Sequence, residues 1–214
     1  MLGLQKAAAQ AKLAINVGIH EPAHGGRVKN TLLWINESGK IEHRYQKLHL
    51  FDVDIRDGPV LRESNSVEPG TEILSPFPTS LGRMGLMICF DIRFPALSTR
   101  LRDLGAEILT YPSAFTVPTG KVHWETLLRA RAIENQSCVI AAAQVGAHNE
   151  KRRSYGHSMI VDPWGEVVAE APGEEGGGGT ACVFGEVDLE VLEKVRKEMP
   201  LKARRDVMDV VVKE

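Results

Sequence analysis

The residue pattern predicts an α/β fold in which mixed sheets and helices stack in layers. Two observations carry this reading. In the middle of the chain, strand-length apolar runs at 84–89, 107–111 and 138–145 alternate with helical patterns at 95–104 and 123–136. On either side lie hairpin patterns, each two strand-like runs joined by a short turn. With 214 residues, 43% of them hydrophobic and 25% charged, the chain suits one large domain, taken as 1–214.

Each element has its own justification. Residues 4–12 are rich in Ala and Lys and suit a short helix, and 13–19 read as a strand. Residues 28–35 and 40–50 form a hairpin around the turn Asn36-Glu-Ser-Gly39. The stretch 51–79 is rich in Pro, Gly, Asp and Ser, which predicts a long functional loop with a short strand. Helix 95–104 has Pro95 in its first turn, Gly105 past its end, and Leu97, Leu101 and Leu104 on one face. Helix 123–136 places Trp124, Leu127, Leu128 and Arg131 on one side. Residues 158–162 and 166–170 flank Pro163-Trp-Gly165 as a second hairpin. The glycine run in 173–179 is a loop, 180–187 a last strand, and 189–198 a closing helix before Pro200. There is no internal repeat.

Composition narrows the function classes. A net charge of −2 presents no polybasic field for nucleic acid or an anionic membrane. No apolar stretch reaches the ~18 residues of a membrane span. Three cysteines, Cys89, Cys138 and Cys182, are too few for a disulfide scaffold and point to a reducing, cytoplasmic compartment. The Ala- and Lys-rich start reads as a solvated helix, with a mitochondrial targeting segment as the alternative.

Cys89 is the most informative residue. It closes the run Met84-Gly-Leu-Met-Ile-Cys89 shortly before the helix that opens at Pro95. A strand end holds a thiol rigidly, and a helix start favours its thiolate. The plain alternative is a small buried hydrophobe. Lys47 shares a strand face with Ile41, His43, Tyr45 and His49. A partly buried ammonium there needs a carboxylate or a developing anion; otherwise it is an edge lysine whose head reaches water. Glu125, in His123-Trp-Glu125, is either an exposed i,i+4 partner of Arg129 or an acid that orients Lys47 or the loop around Cys89.

Other patterns carry no chemistry. His20-Glu-Pro-Ala-His24 spells a zinc-protease motif, but it follows a strand, contains Pro22 and runs into Gly25-Gly26, whereas that motif needs a helix. The glycine run near Gly176 lacks the Gly-Lys-Ser/Thr of a phosphate loop. The histidines are scattered, with His49, His123 and His157 read as structural hydrogen-bonders, and no metal constellation forms. Arg56 and Arg62 are candidates for holding a substrate carboxylate, or else surface charges.

Several segments together resemble the carbon–nitrogen hydrolase (nitrilase) superfamily. They are Tyr45-x-Lys47-x-His49-Leu-Phe51, Gly85-Leu-Met-Ile-Cys89-Phe-Asp-Ile-Arg93-Phe-Pro95, Pro112-Ser-Ala-Phe115 and His123-Trp-Glu125. Arg129-Ala-Arg-Ala-Ile-Glu134, Tyr155-Gly-His-Ser158 and Asp162-Pro-Trp-Gly165 continue the match, which runs from about Ile15 to Arg205. Tyr155-Gly-His-Ser-Met159 and Ser113-Ala-Phe115 suit the deaminated-glutathione amidase branch. The resemblance implies an α-β-β-α sandwich that forms a homodimer through helices. It also implies cleavage of a small linear amide without metal or organic cofactor. Cys89 would attack to form a thioester, Lys47 and the backbone N–H of Phe90 would hold the oxyanion, and Glu125 would be the additional active-site glutamate. The family's base glutamate belongs to a first strand–helix–strand unit that this chain is expected to lack, since Glu21 is its first acid and matches a later position. The expectation is therefore a truncated form of an active amidase. The alternatives are a catalytically impaired nitrilase-like dimer serving as a binding or scaffold protein, and an enzyme in which another acid, such as Glu125, is the base.

Overall fold

Continuous burial over residues 31–35, in the central strand of the first sheet, gives that sheet two covered faces there. In the computed structural model, which describes residues 2–54, 60–150, 152–176 and 180–201, helix α1 (Leu2–Ala11) precedes strands β1 (Ile15–Pro22), β2 (Val28–Ile35) and β3 (Ile41–Gln46). These strands pair antiparallel in that order. Leu32 and Trp34 point to one face of β2, and Leu33 and Ile35 to the other, and all four are buried. Helix α1 lies against the β2–β3 turn, where Gln5 donates to the Gly39 carbonyl at 3.0 Å. Gly39 (φ +81) is required there, because a Cβ would run into the Gln5 backbone.

The long segment that follows is more ordered than a plain loop. Strands β4 (Asp52–Asp54) and β5 (Val60–Arg62) form a ribbon, a 3-10 turn spans Glu63–Asn65, and β6 (Val67–Glu68) adds in parallel to the start of β2. The second sheet has six strands. It runs from β7 (Phe77–Thr79) through β8 (Gly82–Leu86), β9 (Ile108–Thr110), β10 (Cys138–Ala141) and β13 (Met159–Val161) to β14 (Val167–Glu170). Its middle strands β8, β9 and β10 are parallel and are joined by helices α2 (Pro95–Asp103) and α3 (Val117–Asn135). A ribbon of β11 (Val145–Ala147) and β12 (Arg153–Tyr155) flanks this sheet, and α4 (Leu189–Glu198) closes the described chain.

Two cores separate the layers. Between the sheets, Leu32, Trp34 and Tyr45 meet Phe77, Met84, Leu86, Ile88, Ile108 and Cys138. Between the second sheet and helices α2 and α3, Leu97, Leu101, Trp124 and Leu128 pack on Met87, Leu109, Val139 and Met159. The order is helix, sheet, sheet, helix, and this is the expected α-β-β-α sandwich.

Three elements differ from the sequence expectation. Helix α3 starts at Val117 rather than 123, because Pro118 fits a first helical turn, where its missing N–H has no intrahelical partner to lose. Run 138–145 divides at Ala142–Gln144, where Ala143 keeps only an isolated parallel bridge to Ser113 and its N–H donates to Ser158 Oγ at 2.8 Å. Residues 180–187 form no strand; Gly185 lies against Ile160 and Val168 without entering the sheet ladder.

Leu101 is fully buried and sits over Gly85, on the strand that leads to Cys89. Leu101→Ala is expected to cost about 2–5 kcal/mol, read by urea unfolding.

Candidate active site

The site begins where β8 ends. Past Leu86, the chain stays fastened beside β9: Met87 N–H donates to Thr110 O and Cys89 N–H to Pro112 O, both at 3.1 Å. Cys89 then turns sharply, with φ +46, and opens a 3-10 turn that spans Cys89–Arg93. A non-glycine residue in this left-handed region costs about 1–3 kcal/mol and persists only where its surroundings impose it. Here the imposition is visible. Arg131 of α3 is buried and donates through Nε to the Ile92 carbonyl at 2.9 Å, which ties the turn to the helix layer. Cys89 itself is half-buried and touches both cores. The other thiols differ. Cys138 lies inside the sheet core, where burial pushes its thiol up to about 11, while Cys182 is exposed rather than held in an apolar strand.

Lys47 directly follows β3, and its side chain is only 3% exposed. Its Nζ meets Glu63 Oε2 at 2.6 Å. Glu63 also accepts the Phe51 N–H at 2.6 Å and an amide N–H of Asn30 at 3.2 Å. Burial pushes the Glu63 carboxyl up, but the Lys47 charge and these donors outweigh it and hold the group below its ordinary value. A buried ammonium without such a partner would be strongly unfavourable.

The two segments are stitched together. Tyr45 and His49, on either side of Lys47, both bond the carboxylate of Asp91, two residues beyond Cys89. Phe51 packs edge-on against Phe90, with ring centroids 5.0 Å apart. The Phe90 N–H makes no hydrogen bond among the described residues, whereas the Cys89 N–H is spent on Pro112. Arg93 lies 5.9 Å from the Phe90 ring and 5.5 Å from the Phe115 ring, and it donates to His123 Nδ1 at 3.1 Å. No carboxylate pairs with Arg93 among the described residues. Burial lowers its pKa, opposed by the Cys89 charge.

The structure thus places Lys47, Cys89 and the Phe90 N–H on connected segments and leaves Glu125 apart. Trp124 and Leu128 face the core, so Glu125 falls on the outer side of α3, 56% exposed, and pairs with Arg129 at 3.2 Å. No hydrogen bond or ion pair links it to Lys47. The acid that meets Lys47 is Glu63, which the sequence reading did not select. Its one sequence signal is its place in the Pro- and Gly-rich stretch after Lys47, a region where a buried lysine's counterion could fold back. Arg62 is spent on the carbonyls of Val53 and Leu61, and Arg56 lies outside the described residues. The His20–His24 segment runs along β1 into a 3-10 turn, not a helix. Among the described residues, no group of three or more His, Cys, Asp or Glu side chains is arranged to hold a metal ion.

Because the Glu63 carboxyl is held below 4.5, its stabilising contribution is complete above about that pH and fades as the pH falls through the lower folded value. Glu63→Gln is expected to flatten the acid limb of stability against pH. Glu63→Ala is expected to lose about 3–5 kcal/mol near neutrality, read by urea melts across pH 3–7.

Comparison with known proteins shows the family to which the chain belongs. The model of the carbon-nitrogen hydrolase family matches residues 1–197. A probable hydrolase, nit2, of Schizosaccharomyces pombe is 48% identical over 97% of this chain and 75% of its own length. Deaminated glutathione amidase of Bos taurus is 51% identical over 84% of this chain, and the match spans only 53% of that relative. The NitFhit protein of Caenorhabditis elegans superposes with a TM-score of 0.85 at 43% identity, covering 96% of this chain and 50% of that one. The chain spans about half the length of several such relatives, and it belongs to the carbon–nitrogen hydrolase family of the nitrilase superfamily.

Proposed function

We propose that this chain carries the nucleophile and oxyanion groups of an amidase that cleaves a small linear amide through a thioester on Cys89. The observation that carries the reading is the buried Lys47, held by Glu63 on a segment bonded to the Cys89 turn. Kinship to relatives named as amidases supports it.

In this reading the Cys89 sulfur attacks the amide carbonyl carbon. A carbon–sulfur bond forms, and the carbonyl electrons move onto oxygen. The Lys47 ammonium and the free Phe90 N–H stabilise that oxyanion. Collapse breaks the carbon–nitrogen bond, and the departing amine takes the proton the thiol gave up. Water then cleaves the thioester, returning the thiol and releasing the acid. Glu63 pairs with Lys47 and holds it in place throughout. Arg93, desolvated and without a carboxylate partner among the described residues, suits an acidic group on the substrate. Deaminated glutathione, or a related ω-amide of a keto-dicarboxylate, fits this chemistry and the relatives' names.

Cys89→Ala is expected to reduce hydrolysis of such an amide to background, and mass spectrometry of the unmutated protein quenched during turnover is expected to show an acyl adduct on Cys89. Normal turnover by Cys89→Ala would overturn the assignment. Neither adduct nor product from the unmutated protein would favour a binding or scaffold role. Arg93→Met is expected to raise KM for an acidic amide about 10–100-fold while leaving a neutral amide unaffected, since a charge-assisted hydrogen bond contributes about 1.5–3 kcal/mol. Equal effects on both amides would remove Arg93 from substrate binding.

A further inference from the structure

The most heavily used buried carboxylate in the described structure belongs to neither the nucleophile nor its lysine. Asp91 is 0% exposed and, among the described residues, is paired with no lysine or arginine. Its Oδ2 accepts the Tyr45 hydroxyl at 2.7 Å and the Ile88 N–H at 3.0 Å. Its Oδ1 accepts the His49 N–H at 3.0 Å and faces His49 Nδ1 at 2.8 Å. An ionised carboxylate accepts only, so Nδ1 carries the proton in this contact. Four donors therefore fill the carboxylate, which compensates for its burial.

What matters is where those donors come from. Ile88 and Asp91 bracket Cys89 in the chain, and Tyr45 and His49 bracket Lys47. One carboxylate thus bonds both sides of the lysine's segment and reaches back across the cysteine's turn. His49 also stacks on Phe94, with centroids 3.6 Å apart, which pins the ring against the far end of the same turn. Lys47 itself bonds Glu63, the Asn30 carbonyl and the Gly70 N–H, and the Cys89 N–H bonds Pro112. The Asp91 carboxylate is the direct polar bridge between the two segments among the described residues.

We propose that Asp91 is a positioning residue: its buried carboxylate sets the place of the Lys47 amine relative to the Cys89 sulfur. This rests on the reading of Lys47 and Cys89 as the working pair. It assigns Tyr45 and His49 to the same task, with no contact to substrate required of any of the three. The left-handed turn at Cys89 fits this role. Such a turn needs external support, and the back-reach of Asp91 to the Ile88 N–H supplies support from within the turn itself.

The test is a double-mutant cycle read without turnover, together with steady-state kinetics. At pH 7 the alkylation rate of Cys89 by iodoacetamide, with exposed Cys182 as internal reference, is measured for the unmutated protein, Lys47→Met, Asp91→Asn and the double variant. Loss of a nearby cation is expected to slow Cys89 about 10-fold in Lys47→Met. Asp91→Asn is expected to slow it in the same direction, and the double variant to be no slower than Lys47→Met alone. In hydrolysis of a keto-dicarboxylate ω-amide, Asp91→Asn is expected to lower kcat about 10–100-fold with KM within about twofold, the signature of misplacement rather than lost binding. An unchanged Cys89 rate in Asp91→Asn, or losses that simply multiply in the double variant, overturns the proposal. If Asp91→Asn does not fold by circular dichroism, Tyr45→Phe decides. It removes one donor and leaves the charge, and a smaller fall in both kcat and Cys89 alkylation is expected, with KM unmoved. No change in either overturns the proposal. Absence of hydrolysis by the unmutated protein would defeat the amidase reading alone, because the alkylation cycle still decides the bridge.

Discussion

An ammonium cannot rest in the seam between two sheets without an anion beside it. Lys47 is almost wholly buried there, and this fact organises much of the surrounding structure. It requires Glu63, and Glu63 can be present only if the chain after β3 folds back toward that sheet. The ribbon of β4 and β5, the turn at Glu63 and the parallel addition of β6 to β2 are the route by which it does so. Asn30 and the Phe51 N–H then complete the carboxylate's bonds. A stretch whose composition suggests only a loop is thereby fixed by one electrostatic requirement.

The nucleophile's side is held by different physics. The strand β8 is buried on both faces, and its continuation stays bonded to the residues after β9 until Cys89. The turn at Cys89 adopts a backbone conformation that a non-glycine residue avoids when free. Arg131 from the helix layer and Asp91 from within the turn oppose its relaxation. The result is a thiol that is half-buried and rigidly placed, beside a backbone N–H with no partner among the described residues. Cys138, enclosed by apolar neighbours, is driven toward the neutral thiol by burial, against the pull of Arg196.

The legible parts of the fold were those written in short-range pattern. Strand β2 and helix α4 lie where periodicity and turn residues put them, and α2 ends one residue short of its predicted limit, because each is bounded by local signals such as Gly39, Pro95, Gly105 and Pro200. The errors share a cause. The first turn of α3 contains Pro118 and Gly120, which read as loop residues until the helix that follows gives them a place. Residues 180–187 have strand-like composition but no ladder partner, and a strand is defined by its partner. Glu125 was singled out because of its neighbours in sequence. Its position on the outer face of α3 follows from Trp124 and Leu128 taking the inner one.

What the sequence determined by itself was the alternation of strands and helices, the strand–turn–helix setting of Cys89 and the presence of a lysine on a partly apolar face. These depend on periods of two and of about three and a half residues, which one stretch of chain displays without help. The family is legible too, through several motifs in order. Which carboxylate serves Lys47, and which one ties it to Cys89, was decided only in three dimensions. Glu63 and Asp91 meet their partners from 16 and about 45 residues away along the chain. A charge pair is set by distance through space, so no local period records it.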